Sequence, residues 1–228
     1  TCRACAGKNL SKVLSLGKTP PANAFVKKED LAKQEHFFPL ELSFCNDCSF
    51  VQLTHVVSPE LLFRDYVYVS STSPVFVTHF KELAEKVFNR FKLAQGSLVV
   101  DVGSNDGILL RPFKEKGMKV LGVDPAEKIA AMATKNGIET LPLFFNPEVA
   151  KEIAKTKGKA KLVTATSVFS HVDDLDGFVQ GVKELLADDG VFIIEVYYLY
   201  ELLEKNLFDT IYHEHLSYFT AKTITRLL

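Results

Sequence analysis

The chain has 228 residues, 47% of them hydrophobic and 24% charged, with a formal net charge of −1. That balance leaves no basic footprint for nucleic acid or an anionic membrane surface, and no apolar run approaches the length of a membrane span, so neither is expected as a partner. One large core plus a small extra module fits within this length.

All four cysteines fall in the first fifth of the chain, as Cys2-Arg3-Ala4-Cys5 and Cys45-Asn46-Asp47-Cys48. Two C-x-x-C knuckles offer four thiolates to one tetrahedral ion, which points to structural zinc with no open coordination position and no catalytic role. Two disulfides or a thioredoxin-like redox pair compete with that reading. A cytoplasmic chain would keep the thiols reduced, and the redox motif needs a single knuckle. The cytoplasmic expectation follows from a start at Thr1-Cys2 with neither a basic nor an apolar leader. Residues 6 to 44 between the knuckles exceed the separation in ordinary zinc ribbons and should carry structure of their own. A short strand is expected over Lys12 to Leu16, then a turn and loop over Gly17 to Asn23. Phe37 to Phe44 and Ser49 to Thr54 should form a hairpin whose turn is the metal site. This module, residues 1–58, is too small to be stable without its ion.

Residues 59–96 are expected to form a linker and a packing helix. Pro59 to Phe63 suits a helical turn, and Tyr66-Val67-Tyr68 leads into the hydroxyl-rich Ser70-Ser71-Thr72-Ser73. Ser73 and Pro74 then suit the N-cap and first position of a long helix, with Phe76, Phe80, Leu83, Ala84, Val87, Phe88 and Phe91 on one face. From residue 97 onward strand and helix alternate. Strands are expected near 98–102, 118–123, 138–141, 161–165 and 190–196, and helices near 106–116, 126–135, 147–156 and 174–186. Such alternation predicts an α/β, Rossmann-like, doubly wound parallel sheet over 97–228. Pro112 should kink the first of these helices, and Asp188-Asp189-Gly190 should turn into the fifth strand. The chain lacks an initiator Met and stops inside an apparent helix, Ala221 to Leu228, so further chain is expected beyond Leu228.

The most informative stretch is Leu98-Val99-Val100-Asp101-Val102-Gly103-Ser104-Asn105-Asp106-Gly107, a strand running into a glycine-punctuated turn. Its glycines permit positive φ and close approach of a ligand, and free amides at a helix start can receive polar groups. Asn105 stands where a dinucleotide fingerprint would place its second glycine, which disfavours NAD. Asp124, at the end of the next strand and about twenty residues on, is placed to accept hydrogen bonds from ribose hydroxyls. Ligands of such sheets sit beyond the carboxyl ends of the strands. That edge collects Gly103 to Gly107, Asp124, Phe144-Phe145, Thr166 to His171 and Glu195 to Tyr198. Beyond it, Tyr212-His213-Glu214-His215-Leu216-Ser217-Tyr218 is the densest cluster of titratable groups in the chain. It supplies a base, a carboxylate and hydroxyl donors, but lacks the H-E-x-x-H spacing of a zinc hydrolase.

The paired knuckles, the turn Asp101 to Gly107 and the Tyr212 to Tyr218 segment together resemble the S-adenosylmethionine-dependent sugar C-methyltransferases, in particular the C-3'-methyltransferases of deoxysugar biosynthesis. That resemblance implies a class I methyltransferase domain behind a zinc module, and a C-terminal domain that this chain lacks. It implies methylation of the carbon beside the keto group of a nucleotide-linked 4-keto-deoxysugar. His215 would remove the proton, Tyr212 and Glu214 would assist, and Tyr66 and His171 would line the substrate site. Cofactor contacts are expected from Asp101, Gly103, Ser104, Gly107, Asp124, Phe144, Thr166 and Ser167. Two departures are visible: Ser167 stands where asparagine is usual, and the acidic residue usual before Phe144-Phe145 is absent. A small-molecule O- or N-methyltransferase, or a zinc-dependent binding module with an inactive Rossmann-like domain, are the rival functions.

Overall fold

A computed structural model describes residues 1–228. In chain order the strands are β1 (Leu10–Thr19), β2 (Phe38–Cys45), β3 (Val51–Leu53), β4 (Leu98–Val102), β5 (Lys119–Val123), β6 (Thr140–Leu141), β7 (Ala160–Thr166), β8 (Leu186–Glu195) and β9 (Ser217–Tyr218). The helices are α1 (Pro59–Phe63), α2 (Pro74–Phe91), α3 (Leu110–Glu115), α4 (Glu127–Lys135), α5 (Pro147–Lys157), α6 (Leu175–Leu185), α7 (Leu199–Glu204) and α8 (Ala221–Leu227). Their contacts separate residues 1–62, 169–176 and 196–228 from residues 63–168 and 177–195. No helix is long and apolar enough to cross a membrane.

The second of these units holds the parallel sheet, in the order β6-β5-β4-β7-β8 with every neighbouring pair parallel. Central β4 is buried at all five positions, as its sequence Leu-Val-Val-Asp-Val demands of a strand covered on both faces. Phe80, Ala84 and Val87 of α2 join Val99, Leu162 and Phe113 in one core, with Leu83, Phe88 and Phe91 at its margin. Phe76, counted in the same apolar stripe, is 41% exposed in the first turn. Ser73 caps α2 by accepting the Phe76 amide at 3.5 Å.

Two expectations change here for local reasons. The expected kink at Pro112 does not arise, because α3 begins only at Leu110. Pro112 thus falls in the first turn, where its missing N–H has no intrahelical partner to lose. The turn at Asp188-Asp189-Gly190 is absorbed into β8, which follows α6 without a gap. It survives as a bulge: pairing jumps from Ala160 opposite Leu186 to Leu162 opposite Val191.

The first unit is built on an antiparallel sheet, β1-β2-β3-β9. β1 is ten residues long, so Gly17 to Thr19 belong to the strand instead of the turn expected there. Gly17, with φ +80°, sits in a register shift between Ser15 and Lys18, where the left-handed region suits only glycine. Leu40, Leu42, Val51 and Leu53 pack with Leu202, Leu216 and Tyr218, so this core draws on both ends of the chain.

Candidate active site

In the first unit the two knuckles bring all four cysteine sulfurs within 4.8 Å of one another. Cys2 Sγ lies 3.6 Å from Cys48 Sγ, and Cys5 Sγ 3.7 Å from Cys45 Sγ. Four thiolates at 2.3 Å around a tetrahedral zinc stand about 3.8 Å apart, whereas a disulfide needs roughly 2.05 Å. The cluster therefore fits a tetrathiolate zinc centre and not two disulfides. Cys2, Cys45 and Cys48 are buried, as a closed structural site requires.

The same unit assembles four of the five side chains expected to do chemistry. His215 is 5% exposed. Its Nδ1 donates to the Thr210 carbonyl at 2.7 Å, and its Nε2 accepts the Tyr212 hydroxyl at 2.9 Å. The carbonyl has no proton to give, so it fixes the neutral tautomer with the lone pair on Nε2. Burial holds His215 below the usual imidazole range, against the opposing pull of the Thr210 carbonyl. The His171 ring stacks on it with centroids 5.2 Å apart. Burial, with the charge of His215 adding to it, drives His171 down to about 3. Tyr212 is pushed above the usual phenol range by burial and by the charges of Glu214 and Tyr197.

Glu214 or a tyrosine is the expected orienting group for the His215 ring, and the structure gives that place to the Tyr212 hydroxyl and the Thr210 carbonyl, which engage both ring nitrogens. Glu214, 2% exposed, accepts the Asn23 side-chain amide at 2.6 Å. Asn23 and the Thr210 carbonyl escaped the sequence reading. The only hint of the first was an asparagine behind Pro20-Pro21, and the second carries no side-chain signal at all.

The second unit holds the glycine turn, the eight expected cofactor residues and Tyr66. Gly103 and Gly107 have φ of +69° and +80°. The space a Cβ would need is already taken within the protein: 2.1 Å from Val168 Cγ2 at Gly103, and 2.8 Å from Ile138 Cγ2 at Gly107. These glycines therefore serve packing as well as the positive φ expected of them. Ser104 turns inward, 1% exposed, with its Oγ 2.3 Å from where a Cβ on Gly122 would lie. Its amide donates to Val123 O at 3.4 Å, and its carbonyl accepts the Gly107 amide at 2.9 Å while keeping a second lone pair.

Asp101 accepts the Thr164 hydroxyl at 2.6 Å, and burial together with the charge of Asp124 raises it to about 7 despite that bond. Asp124 accepts the amides of Asn105 and Ala126 at 2.8 and 2.9 Å, and burial raises it against the pull of both. Two buried carboxylates at the carboxyl ends of adjacent strands, held by neutral donors, suit a cationic cofactor. Phe144 lies under the Arg64 guanidinium, 4.8 Å from its ring centre. Thr166 is buried and Ser167 exposed, the latter at φ +57° with its amide donating to Glu195 O. Tyr66 is half-buried, its ring 5.8 Å from that of Phe63.

Asn105 was also missed. At φ +49° it presents its side chain to the preceding segment, accepting the Ser70 amide at 2.9 Å and donating to Tyr68 O at 2.9 Å. One amide thus pins the Tyr66 to Ser73 strap to the turn. Asn105→Gly keeps the backbone angle without strain and removes both bonds, each worth about 1 kcal/mol. Hydrogen exchange at Ser70 should then quicken by about tenfold or more. An unchanged rate would show that the strap is held by other groups.

Residues 2–63 match a family described as "Putative zinc binding domain", and residues 76–228 one described as "Methyltransferase domain". The protein named "C-methyltransferase NovU" of Streptomyces niveus is 42% identical over 226 residues, covering 99% of this chain and 54% of that protein. A "Ubiquinone biosynthesis O-methyltransferase" of Rhodopseudomonas palustris (strain HaA2) is 26% identical over 127 residues, 54% of this chain and 50% of that protein. The chain therefore spans about half the length of these curated relatives. In fold it is similar to the plantazolicin methyltransferase BpumL, solved in complex with SAH, with a TM-score of 0.52 and 15% identity over 67% of this chain and 62% of that one.

Proposed function

The chain belongs to the S-adenosylmethionine-dependent methyltransferases, and from that premise we propose that it methylates the carbon beside the keto group of a nucleotide-linked 4-keto-deoxysugar. The observation that carries this reading is the His215 ring, buried, neutral and locked with its lone pair on Nε2. A hydrogen beside a ketone is weakly acidic, so its removal needs a base and a donor for the enolate oxygen in a dry site. His215 Nε2 takes the proton. Tyr212 keeps its own proton, being raised above the usual phenol range, and so serves as donor. A substrate entering at Nε2 displaces that hydroxyl, which then turns to the developing enolate oxygen. Glu214 and His171 shape the pocket around this pair.

The bound cofactor supplies an electrophilic methyl group, so the residues need only position it and the enolate carbon in line. Asp124 would take the ribose hydroxyls. The backbone at Gly103, Ser104 and Gly107 would take the amino-acid end, with Asp101, Phe144, Thr166 and Ser167 around them. The zinc centre takes no part in the chemistry, since four thiolates leave the ion no open position. Asp124→Ala should weaken S-adenosylhomocysteine by about 1 to 3 kcal/mol in calorimetry. Binding of NAD in its place would mean the turn has been misread. The substrate is tested by hydrogen exchange: the full-length protein, given the 4-keto sugar nucleotide and S-adenosylhomocysteine in heavy water, should exchange the hydrogen beside the ketone. A protein that methylates hydroxyl oxygen, as the name of the Rhodopseudomonas relative describes, would show no such exchange.

A further inference from the structure

We infer that Arg3, which stands between the first two cysteines, is a positioning residue that ties the metal knuckle to both histidines of the proposed site. Its side chain is 8% exposed. Nε donates to Asp173 Oδ1 at 2.6 Å, and Nη1 donates to the carbonyls of Leu53 at 2.9 Å and Leu216 at 3.3 Å. The Arg3 amide donates to Gln52 Oε1 at 2.8 Å, and Gln52 Nε2 returns a bond to Thr1 O at 3.0 Å. Leu216 directly follows His215, and Asp173 lies two residues beyond His171. One guanidinium therefore touches both segments that present the stacked rings, and it is rooted in the loop whose sulfurs face the metal.

The chemistry explains why arginine stands there. A buried guanidinium is costly unless its donors are met, so movement of any acceptor is resisted by the whole fork. Lysine offers a single ammonium and cannot hold a carboxylate and two carbonyls in one plane. The neighbouring Ala4 has nothing to contribute to such a link. A plain tether of the N-terminus to β3 would need only the two Gln52 bonds, made by the Arg3 amide and the Thr1 carbonyl. The remaining three bonds all run from the side chain, and two of them reach the histidine-bearing segments. The inference borrows from the proposed function only the chemistry of His171 and His215, and nothing about their positions.

The test uses the zinc-loaded protein with isotope-labelled histidine rings, comparing wild type with Arg3→Gln, Arg3→Lys and Asp173→Asn after zinc content has been measured for each. With zinc retained, the ring resonances of both His171 and His215 should move in Arg3→Gln while those of His36 and His79 stay in place. Arg3→Lys should not restore them. Asp173→Asn, at a side chain 55% exposed, should move His171 more than His215. In the full-length enzyme, Arg3→Gln should lower kcat by roughly tenfold to a hundredfold through misplacement of the base, with cofactor affinity unchanged. Unmoved His171 and His215 resonances in Arg3→Gln would overturn the inference. Should that variant fail to fold, an unmoved His171 in Asp173→Asn would do the same. If the resonances move as expected but wild-type protein never exchanges or methylates a 4-keto sugar nucleotide, the proposed substrate is wrong and the positioning role of Arg3 stands.

Discussion

Stripping the metal from the four-cysteine site, by chelation or by Cys45→Ser, should abolish ordered structure in the antiparallel-sheet unit. Cys45 is wholly buried and ends β2, and its amide donates to Phe50 O at 2.8 Å across the second knuckle. The apolar core of this unit is small: one cluster of seven buried side chains from Leu40 to Tyr218, with Phe50, Val57, Leu62, Phe169, Leu175 and Phe219 buried outside it. A core of that size supplies little beyond the conformational entropy it must offset, whereas structural zinc in small domains contributes on the order of 10 kcal/mol. Loss of one thiolate should therefore cost far more than a buried Cys→Ser change elsewhere. Zinc content should fall from one ion per chain to near zero, and amide protection along β1, β2 and β3 should collapse. Protection in β4 and β7, whose core lies around Val99 and Leu162, should persist. A native chain free of zinc with its thiols paired would defeat this expectation.

What the sequence disclosed, and what it hid, follows from how far apart in the chain the interacting groups lie. The cysteine pairs, the strand-turn at Asp101 to Gly107 and the cap at Ser73 are local patterns, and the structure forms them where the spacing placed them. β4 was legible because a strand buried on both faces must be apolar throughout. β1 was legible only as the short strand Lys12 to Leu16, because most of its positions are exposed and partly charged, and its full length is set by pairing with β2. The links that organise the candidate site were hidden for the same reason. Asn23 meets Glu214, Arg3 meets Leu216 and Asp173, and Asn105 meets Tyr68 and Ser70. In each case one partner or both is backbone, or lies far away in sequence. The tautomer of His215 is set by the Thr210 carbonyl, a group that every residue possesses.

His215→Asn in the full-length protein should abolish both proton exchange beside the ketone and carbon methylation, with a loss of about 10² to 10⁴ in kcat. The amide of asparagine can replace the hydrogen bond to Thr210 but has no basic lone pair for the proton. Cofactor affinity should stay near wild type, because Asp124 and the glycine turn are untouched. Tyr212→Phe should cost less, since it removes a donor to the enolate oxygen while leaving Nε2 more open. The pH profile supplies a second, independent reading. Burial lowers His215 below 6.5, so the base remains unprotonated and the acid limb of kcat/KM should fall below that value. Stability follows the same sign. His171 titrates near 3 when folded and near 6.5 when unfolded, so between these values the unfolded chain binds the extra proton. The contribution of His171 burial to stability is therefore complete above about pH 6.5 and is lost progressively as pH falls toward 3. His171→Phe, which stacks without a titratable nitrogen, should flatten that dependence while leaving the acid limb of catalysis in place. If instead the limb disappears in His171→Phe and persists in His215→Asn at near wild-type rate, the base is His171, and the lock between Thr210 and Tyr212 serves only to hold a neighbouring ring.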